Sequence, residues 1–435
     1  MKKHGLFGEG LSHSLSPLIH TYVYDLISYD ADYSLIDFEK EALEKHINLL
    51  RDGTLNGVNV TMPYKKSVIE YLDSIDTNAR EIDAVNTIVS SKSNLKGFNT
   101  DYYGIEKTLE KYMPVEDKTF LILGYGGASK PLIHFLSLHN AEKIYIASRS
   151  ADKYKDFYKG KTKIIFISYH ELDDIKASIV FNTTPLGMYP HIDSSPLDEK
   201  YFKNFQCAID FIYNPYSTLF LQRAKKYGLK VENGLKLLVY QAIRSIELWS
   251  NTSIGDKIKT KIYLHFRSLY IDNEKIYLVG LPGSGKSTFG KMLSDSLGYN
   301  FVDLDDYIEK KENMKINDIF RLYGEVKFRE LESQALRDLE SFNKIVIATG
   351  GGSILRKENR ELLKKHSKVF FIDRSCENIL KDLKIENRPL LKNSSNRIFS
   401  LYDERKSFYE EVSDYVLDNS SNLDSLLENT LKLFW

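Results

Sequence analysis

The stretch from Val279 to Phe289, Val-Gly-Leu-Pro-Gly-Ser-Gly-Lys-Ser-Thr-Phe, constrains the fold more than any other part of this chain. Gly280, four residues and then Gly285-Lys286-Ser287 match G-x-x-x-x-G-K-[ST], a loop whose glycines let backbone N–H groups close on phosphates. Such a loop works only between a strand and a helix. Lys275 to Val279 has the apolar character of a buried strand, and Ser287 to Leu297 the spacing of an amphipathic helix whose N-terminus adds its dipole to an anion site. Gly283, Ser284, Gly285, Lys286, Ser287 and Thr288 are therefore expected to hold the phosphates of ATP, which leaves open a kinase or a motor, switch or transporter ATPase. Lys286 would reach the β/γ oxygens and Ser287 would ligate Mg2+.

The residues downstream decide what accepts the phosphoryl group. Phe301-Val-Asp-Leu-Asp305 is read as an extended run with Asp303 and Asp305 on one face, one for the metal shell and the other for a substrate hydroxyl. Arg329 falls on a later helix, and the buried strand Ile345 to Thr349 opens into Gly350-Gly351-Gly352, where backbone can touch a ligand closely. These groups suit a small polar anion. In this order behind the phosphate loop, with Phe328-Arg329-Glu-Leu-Glu332 and Arg388-Pro-Leu-Leu391, they resemble shikimate kinases from about Lys275 to the C-terminus.

That resemblance implies a P-loop α/β domain with a parallel sheet over 275–435. It implies that Asp305 binds the substrate hydroxyls and acts as base, that Asp303 and Ser287 serve Mg2+, and that Arg329, Gly351 and Arg405 hold the substrate, chiefly its carboxylate. Arg388 would come from a lid to meet the phosphates. Two departures stand out: a short segment between Arg388 and Arg405, and Lys406-Ser407 where a proline is common before Tyr409.

Ahead of residue 275 the chain must be something else. Its 60 basic and 60 acidic side chains balance, so no field attracts nucleic acid. Cys207 and Cys376 lack metal-type spacing, which points to a reducing cytosol, and neither a signal peptide nor a membrane span is expected. A cytoplasmic enzyme follows as the expectation. Strands alternate with helical patterns throughout, the α/β signature. Thr119 to Leu123 is a strand, Gly124-Tyr-Gly126-Gly127-Ala128 a turn, the helix runs to about His139, and Lys143 to Ala147 is the next strand: a βαβ dinucleotide unit. Ser148-Arg149-Ser150 with Lys153, in place of an acidic residue, favours NADP over NAD, because an arginine there accommodates the 2′-phosphate.

Ser14 and Ser16 precede a helix, where hydroxyls serve as caps. Thr61 and Lys65, then Asn86, then Asp101, each follow an apolar run, where α/β sheets place ligands. Lys65 and Asp101 make a proton-transfer pair or a structural salt bridge. The strings His-Ser-x-Ser-Pro, Asn-Val-Thr-x-Pro-x-Lys, Ala-x-Asn-Thr, Asn-Thr-Asp and Gly-x-Gly-Gly-Ala, continued through Asn182 to Met188, Asp210 to Pro215, Gly234 and Gln241, are similar to shikimate dehydrogenases from Lys3 to about Ile271.

This second resemblance implies Lys65 and Asp101 in proton transfer, with Ser14, Ser16, Thr61, Asn86, Tyr213 and Gln241 around shikimate. Gly124, Gly126, Gly127, Ala128, Ser148, Arg149, Lys153, Phe211 and Gly234 would line the NADPH site. It further implies a substrate domain over 1–103 completed by 236–270, with a Rossmann domain over 104–235 between. Departures include Gly10-Leu11, Thr21, and Tyr125 in a position that is usually small.

Together the halves are expected to reduce 3-dehydroshikimate and then phosphorylate shikimate, two consecutive steps toward aromatic amino acids. Oligomeric state is left open. Rival readings are quinate or NAD as dehydrogenase partners, a different small alcohol as kinase substrate, which Arg329, the triple glycine and Arg405 together argue against, and a P-loop half that regulates the dehydrogenase through nucleotide binding, which the presence of both Asp303 and Asp305 argues against. The short link Leu269 to Glu274 predicts a shorter lag to shikimate 3-phosphate than separated halves would show.

Overall fold

A computed structural model describes residues 1–11, 14–154, 162–270, 274–365, 367–382, 396–420 and 422–434. Arg388 and part of the link, 271–273, lie outside the described residues. The chain divides into two compact units, Met1–Phe266 and Arg267–Trp435. Among the described residues no helix is long and apolar enough to cross a membrane.

The first unit contains two sheets. One is mixed, built from β1 (Lys2–Gly8), β2 (Ala31–Asp37), β3 (Gly57–Val60), β4 (Ser74–Ile75), β5 (Thr87–Ser91) and β6 (Asn94–Phe98), in the order β2-β1-β3-β5-β6-β4. β1 pairs in parallel with β2 and β3, whereas β5 runs antiparallel to both β3 and β6. The second sheet holds β7 (Thr119–Leu123), β8 (Lys143–Ala147), β9 (Lys163–Ile167), β10 (Ile179–Asn182), β11 (Cys207–Asp210) and β12 (Lys230–Glu232), all parallel in the order β12-β11-β10-β7-β8-β9. That is the doubly wound arrangement, and its inner strands β10 and β11 are buried along their whole length, as strands covered on both faces are.

The helix Ser129–Leu138 accepts Pro131 in its first turn, where the missing N–H costs nothing. The helix Leu235–Ser250 leaves the second sheet and packs on the first, with Trp249 Nε1 donating to Ile88 O at 3.0 Å. It is buried almost all round, which explains why its polar members Gln241 and Ser245 carry hydrogen bonds.

The second unit is one parallel sheet of β13 (Lys275–Val279), β14 (Asn300–Asp303), β15 (Ile345–Ala348), β16 (Lys368–Asp373) and β17 (Tyr415–Asp418), ordered β14-β15-β13-β16-β17. β13 ends in the glycine loop, which feeds the helix Lys286–Leu297. One local expectation is corrected here. Residues 301–305 are not a single strand: β14 stops at Asp303, whose carboxylate accepts the N–H of Asp305 at 3.0 Å and caps the helix Leu304–Glu312. Asp305 therefore lies in a helical first turn rather than two along a strand from Asp303.

Candidate active sites

In the first unit, Lys65 sits on a turn after β3. The turn is pinned by Tyr64, fully buried, whose hydroxyl donates to Phe38 O at 2.5 Å, and by Val85 N donating to Lys65 O at 2.8 Å. Asp101 is in the first turn of the helix Thr100–Leu109, which Asn99 caps through Tyr102 N. Lys65 Nζ donates to Asp101 Oδ2 at 2.7 Å, with side chains only 19% and 14% exposed. A β-carbon added at Gly127 of the dinucleotide turn would stand 4.0 Å from Lys65 Cδ, so the turn and the lysine face each other.

Asn86 Oδ1 accepts from Thr100 N at 2.6 Å and Thr100 Oγ1 at 3.1 Å, which fixes its amide so that Nδ2 points the other way. Thr100 also reaches Gln241 Oε1 at 3.4 Å, and Thr87, Ser245 and Asn59 complete a buried polar cluster beneath them. Ser14 Oγ accepts from Ser16 N at 3.2 Å, while the cap position of that helix belongs to Leu15 and makes no side-chain cap bond. The Tyr213 phenol lies against the Leu15 backbone between the two serines, and burial raises its pKa. Thr61 N donates to Phe7 O at 2.9 Å, holding Thr61 at the end of β1.

On the cofactor side, Gly124 has φ +94°, and Ser129 Oγ ties Gly126 N and Gly126 O at 2.9 Å each. The Tyr125 ring packs edge-on against Tyr154 (4.7 Å) and Phe166 (5.1 Å). Ser148 Oγ accepts from Ser150 N, and Arg149 lies close enough to the Tyr169 phenol to oppose its upward shift by burial. Gly234 N donates to Ile212 O at 3.0 Å beside Phe211. Asp210 binds Asn182 Nδ2, Ile212 N and Thr218 Oγ1 at 3.0, 3.0 and 2.6 Å, and burial pushes its pKa up to about 6 despite those donors. A glycine turn of this shape beside Arg149 fits a dinucleotide with a 2′-phosphate.

In the second unit, Gly283 and Gly285 adopt φ +85° and +98°, and Lys286 Nζ donates to Gly280 O and Leu281 O at 2.9 and 2.7 Å. Ser284 Oγ is buried without a hydrogen-bond partner among the described residues. Asn419 Nδ2 braces the loop through Ser284 O at 2.8 Å. Ser287 Oγ donates to Asp303, and Thr288 follows in the same helical turn. A hydroxyl and one carboxylate beside a phosphate loop fit Mg2+, which keeps water and phosphate oxygens for its remaining positions.

The triple glycine lets the acceptor groups come together because neighbours occupy the space where β-carbons would stand. A β-carbon at Gly350 would collide with Glu332 Oε1 (2.4 Å) and crowd Asp305 Oδ1 (3.0 Å). At Gly351 it would meet the Pro282 ring (2.6 Å), and at Gly352 the Arg329 guanidinium (2.3 Å). Arg405 Nη1 and the Tyr409 hydroxyl both donate to Gly351 O, at 3.0 and 2.5 Å, and Arg405 Nε is buried without a partner among the described residues. Asp305, Arg329 and Arg405 thus surround one loop that also touches the phosphate cradle. The motifs did not single out Thr100, Ser245, Glu325 or Asn419; Asn419 follows the end of β17, where strand-end placement alone would have suggested it.

Comparison with known proteins fits both halves. A shikimate dehydrogenase (NADP(+)) of Clostridium beijerinckii is 42% identical over 274 residues, covering 62% of this chain and 99% of that protein. The chain belongs to the shikimate dehydrogenase family. The profile for the shikimate dehydrogenase substrate binding domain matches residues 6–88, and that for shikimate kinase matches residues 282–433. A crystal structure of a chorismate mutase/shikimate 5-dehydrogenase fusion protein from Clostridium acetobutylicum is 37% identical with a TM-score of 0.59, covering 62% of this chain and 98% of that one. Shikimate dehydrogenase 1 from Peptoclostridium difficile gives 39% and 0.58, covering 62% and 99%. This chain is a shikimate dehydrogenase fused to a shikimate kinase, an NADP-dependent oxidoreductase and an ATP-dependent phosphotransferase for consecutive steps.

Proposed function

We propose that Lys65 and Asp101 carry proton transfer in the reduction of 3-dehydroshikimate, and that Asp305 activates the shikimate 3-hydroxyl in the phosphorylation. NADPH supplies the hydride and MgATP the phosphoryl group. Lys65 Nζ donates its proton to the C3 oxygen, and Asp101 keeps the ammonium aimed and charged. Asn86 Nδ2 and Gln241 contact substrate hydroxyls, and Thr61 lies alongside; Ser14, Ser16 and Tyr213 take the carboxylate end. Gly124, Gly126, Gly127, Ala128, Ser148, Arg149, Lys153, Phe211 and Gly234 hold the dinucleotide.

In the second unit Asp305 takes the hydroxyl proton, while Arg329, Arg405 and Gly351 fix the carboxylate. Gly283, Ser284, Gly285, Lys286 and Thr288 hold the phosphates, and Ser287 with Asp303 holds the metal. Lys286, joined by Arg388, offsets charge that develops on transfer. The domains follow as 1–103 with 236–270, 104–235, and 275–435. The substrates are small molecules, with no nucleic-acid or membrane partner, and the working compartment is the cytoplasm.

The observation that carries this reading is the gathering of each unit's charged groups at one place: the 2.7 Å Lys65–Asp101 pair facing Gly127, and Asp305, Arg329 and Arg405 around Gly350 to Gly352. Full-length protein given 3-dehydroshikimate and NADPH should oxidise the cofactor, and shikimate 3-phosphate should appear by mass only after MgATP is added. Accumulation of unphosphorylated shikimate with ATP present would refute the kinase assignments.

A further inference from the structure

Arg329 is held by two carboxylates of different character. Glu332 is completely buried: one oxygen accepts from Arg329 Nη1 and the other from Ser353 Oγ at 2.7 Å, so it is a fixed part of the fold. Glu325 is 52% exposed, and a single oxygen, Oε1, accepts from Arg329 Nε at 3.3 Å and Nη2 at 2.9 Å. A guanidinium offers five N–H groups in a planar fork. Glu325 covers the side-on pair formed by Nε and Nη2, which is one of the two edges on which a carboxylate binds in bidentate fashion.

The backbone delivers Glu325 to that position. The helix Ile316–Asp338 is broken at Gly324 (φ 76°, ψ 175°), a conformation that favours glycine, and Glu325 begins the segment after the break. Arg329 is its i+4 neighbour, with the acidic residue on the N-terminal side, the favourable orientation for such a pair. The guanidinium fills the space that a β-carbon at Gly352 would take, so Arg329 lies against the Gly352 backbone while both carboxylates hold it. With both carboxylates engaged, one positive charge faces two negative ones, and a further anion is repelled.

We propose that Glu325 is an internal competitor for Arg329, a carboxylate that an incoming substrate carboxylate must displace, so that it sets the affinity and selectivity of the kinase site. The inference rests on the reading of Arg329 as the substrate-carboxylate holder. Displacement costs little because Glu325 is half in water and regains hydration on release, whereas Glu332 stays to neutralise the buried arginine.

The test is kinase kinetics on full-length Glu325→Gln at saturating MgATP. The KM for shikimate should fall about two- to five-fold, the range expected on losing a half-exposed ion pair. The KM for MgATP and the dehydrogenase constants should stay as in the parent chain. Inhibition by shikimate methyl ester, which has no carboxylate, should not strengthen. An unchanged or higher KM for shikimate overturns the proposal; a higher KM restored by Glu325→Asp would make Glu325 an orienting partner instead. Arg329→Ala separates the two levels: if it leaves the KM for shikimate unchanged, the assignment of Arg329 has failed, and the competitor role with it.

Discussion

In the proposed mechanism Lys65 and Asp305 each move one proton, each in a different reaction. Lys65→Met removes the ammonium paired to Asp101 at 2.7 Å. The dehydrogenase kcat should fall about 10^2- to 10^4-fold, the usual worth of general acid–base catalysis, with kinase turnover preserved. Asp305→Asn should do the converse, since an amide cannot accept the hydroxyl proton. Parallel assays on the two purified variants check both, and a variant that silences both activities would contradict the assignment. Arg149 supports a finer prediction. If it holds the 2′-phosphate, Arg149→Ala should raise the KM for NADPH at least ten-fold and leave that for NADH nearly unchanged, which initial rates with the two cofactors will show.

At the scale of elements, the helix Leu235–Ser250 and the first sheet enclose a group of buried histidines. His4 stacks on Trp249 (4.4 Å) and shares a hydrogen bond between Nδ1 and the Tyr24 hydroxyl, while His20 stacks on Tyr33 (3.9 Å). Burial lowers the pKa of His4 to about 3 and that of His20 well below its usual value. Both stay neutral in the folded protein but become protonated on unfolding below pH ~6.5, so the unfolded state binds more protons there. Stability of the first unit should therefore fall as pH drops from about 6.5 toward 4, by up to ~1.4 kcal/mol per pH unit per histidine. Trp249 fluorescence in urea, read between pH 7 and 5, reports the transition. His20→Phe keeps the stack on Tyr33 and should flatten the slope; an unchanged slope would rule out the buried imidazole as its source.

The same elements show what was legible in the chain. Strings such as Asn59 to Lys65 or Gly280 to Ser287 were informative because backbone geometry at a strand end depends on contiguous residues. The second sheet, the phosphate loop and the pairing of Lys65 with Asp101 followed from them. Asp303 and Asp305 were misread as one strand face because side-chain capping of a helix competes with strand alternation, and here the cap won. The remaining groups were hidden by distance along the chain. Asn59 meets Ser245, and Asn419 meets Ser284, through hydrogen bonds that no local pattern encodes. Glu325 is marked by its contact with Nε and Nη2 of Arg329, which its place in the sequence after Gly324 does not announce.

For the whole molecule, the decisive fact is that each compact unit assembles its own charged site from its own residues: Lys65 with Asp101 in Met1–Phe266, and Asp305 with Arg329 and Arg405 in Arg267–Trp435. Among the described residues, the groups proposed for each site come from a single unit, so the two activities should be separable without cutting the chain. An equimolar mixture of Lys65→Met and Asp305→Asn chains contains one working copy of each site per pair of chains. It should convert 3-dehydroshikimate, NADPH and MgATP into shikimate 3-phosphate, with shikimate passing through solution between the chains. The short link adds a second quantity, the lag before phosphorylated product appears. If covalent attachment assists transfer, parent protein at half the mixture's total concentration, and so with equal numbers of working sites, will show the shorter lag. If the lags coincide, the fusion matches the amounts of two enzymes without passing substrate between them. Absence of product from the mixture would instead mean that one substitution disables the other unit, against the independence that the residues of the two sites imply.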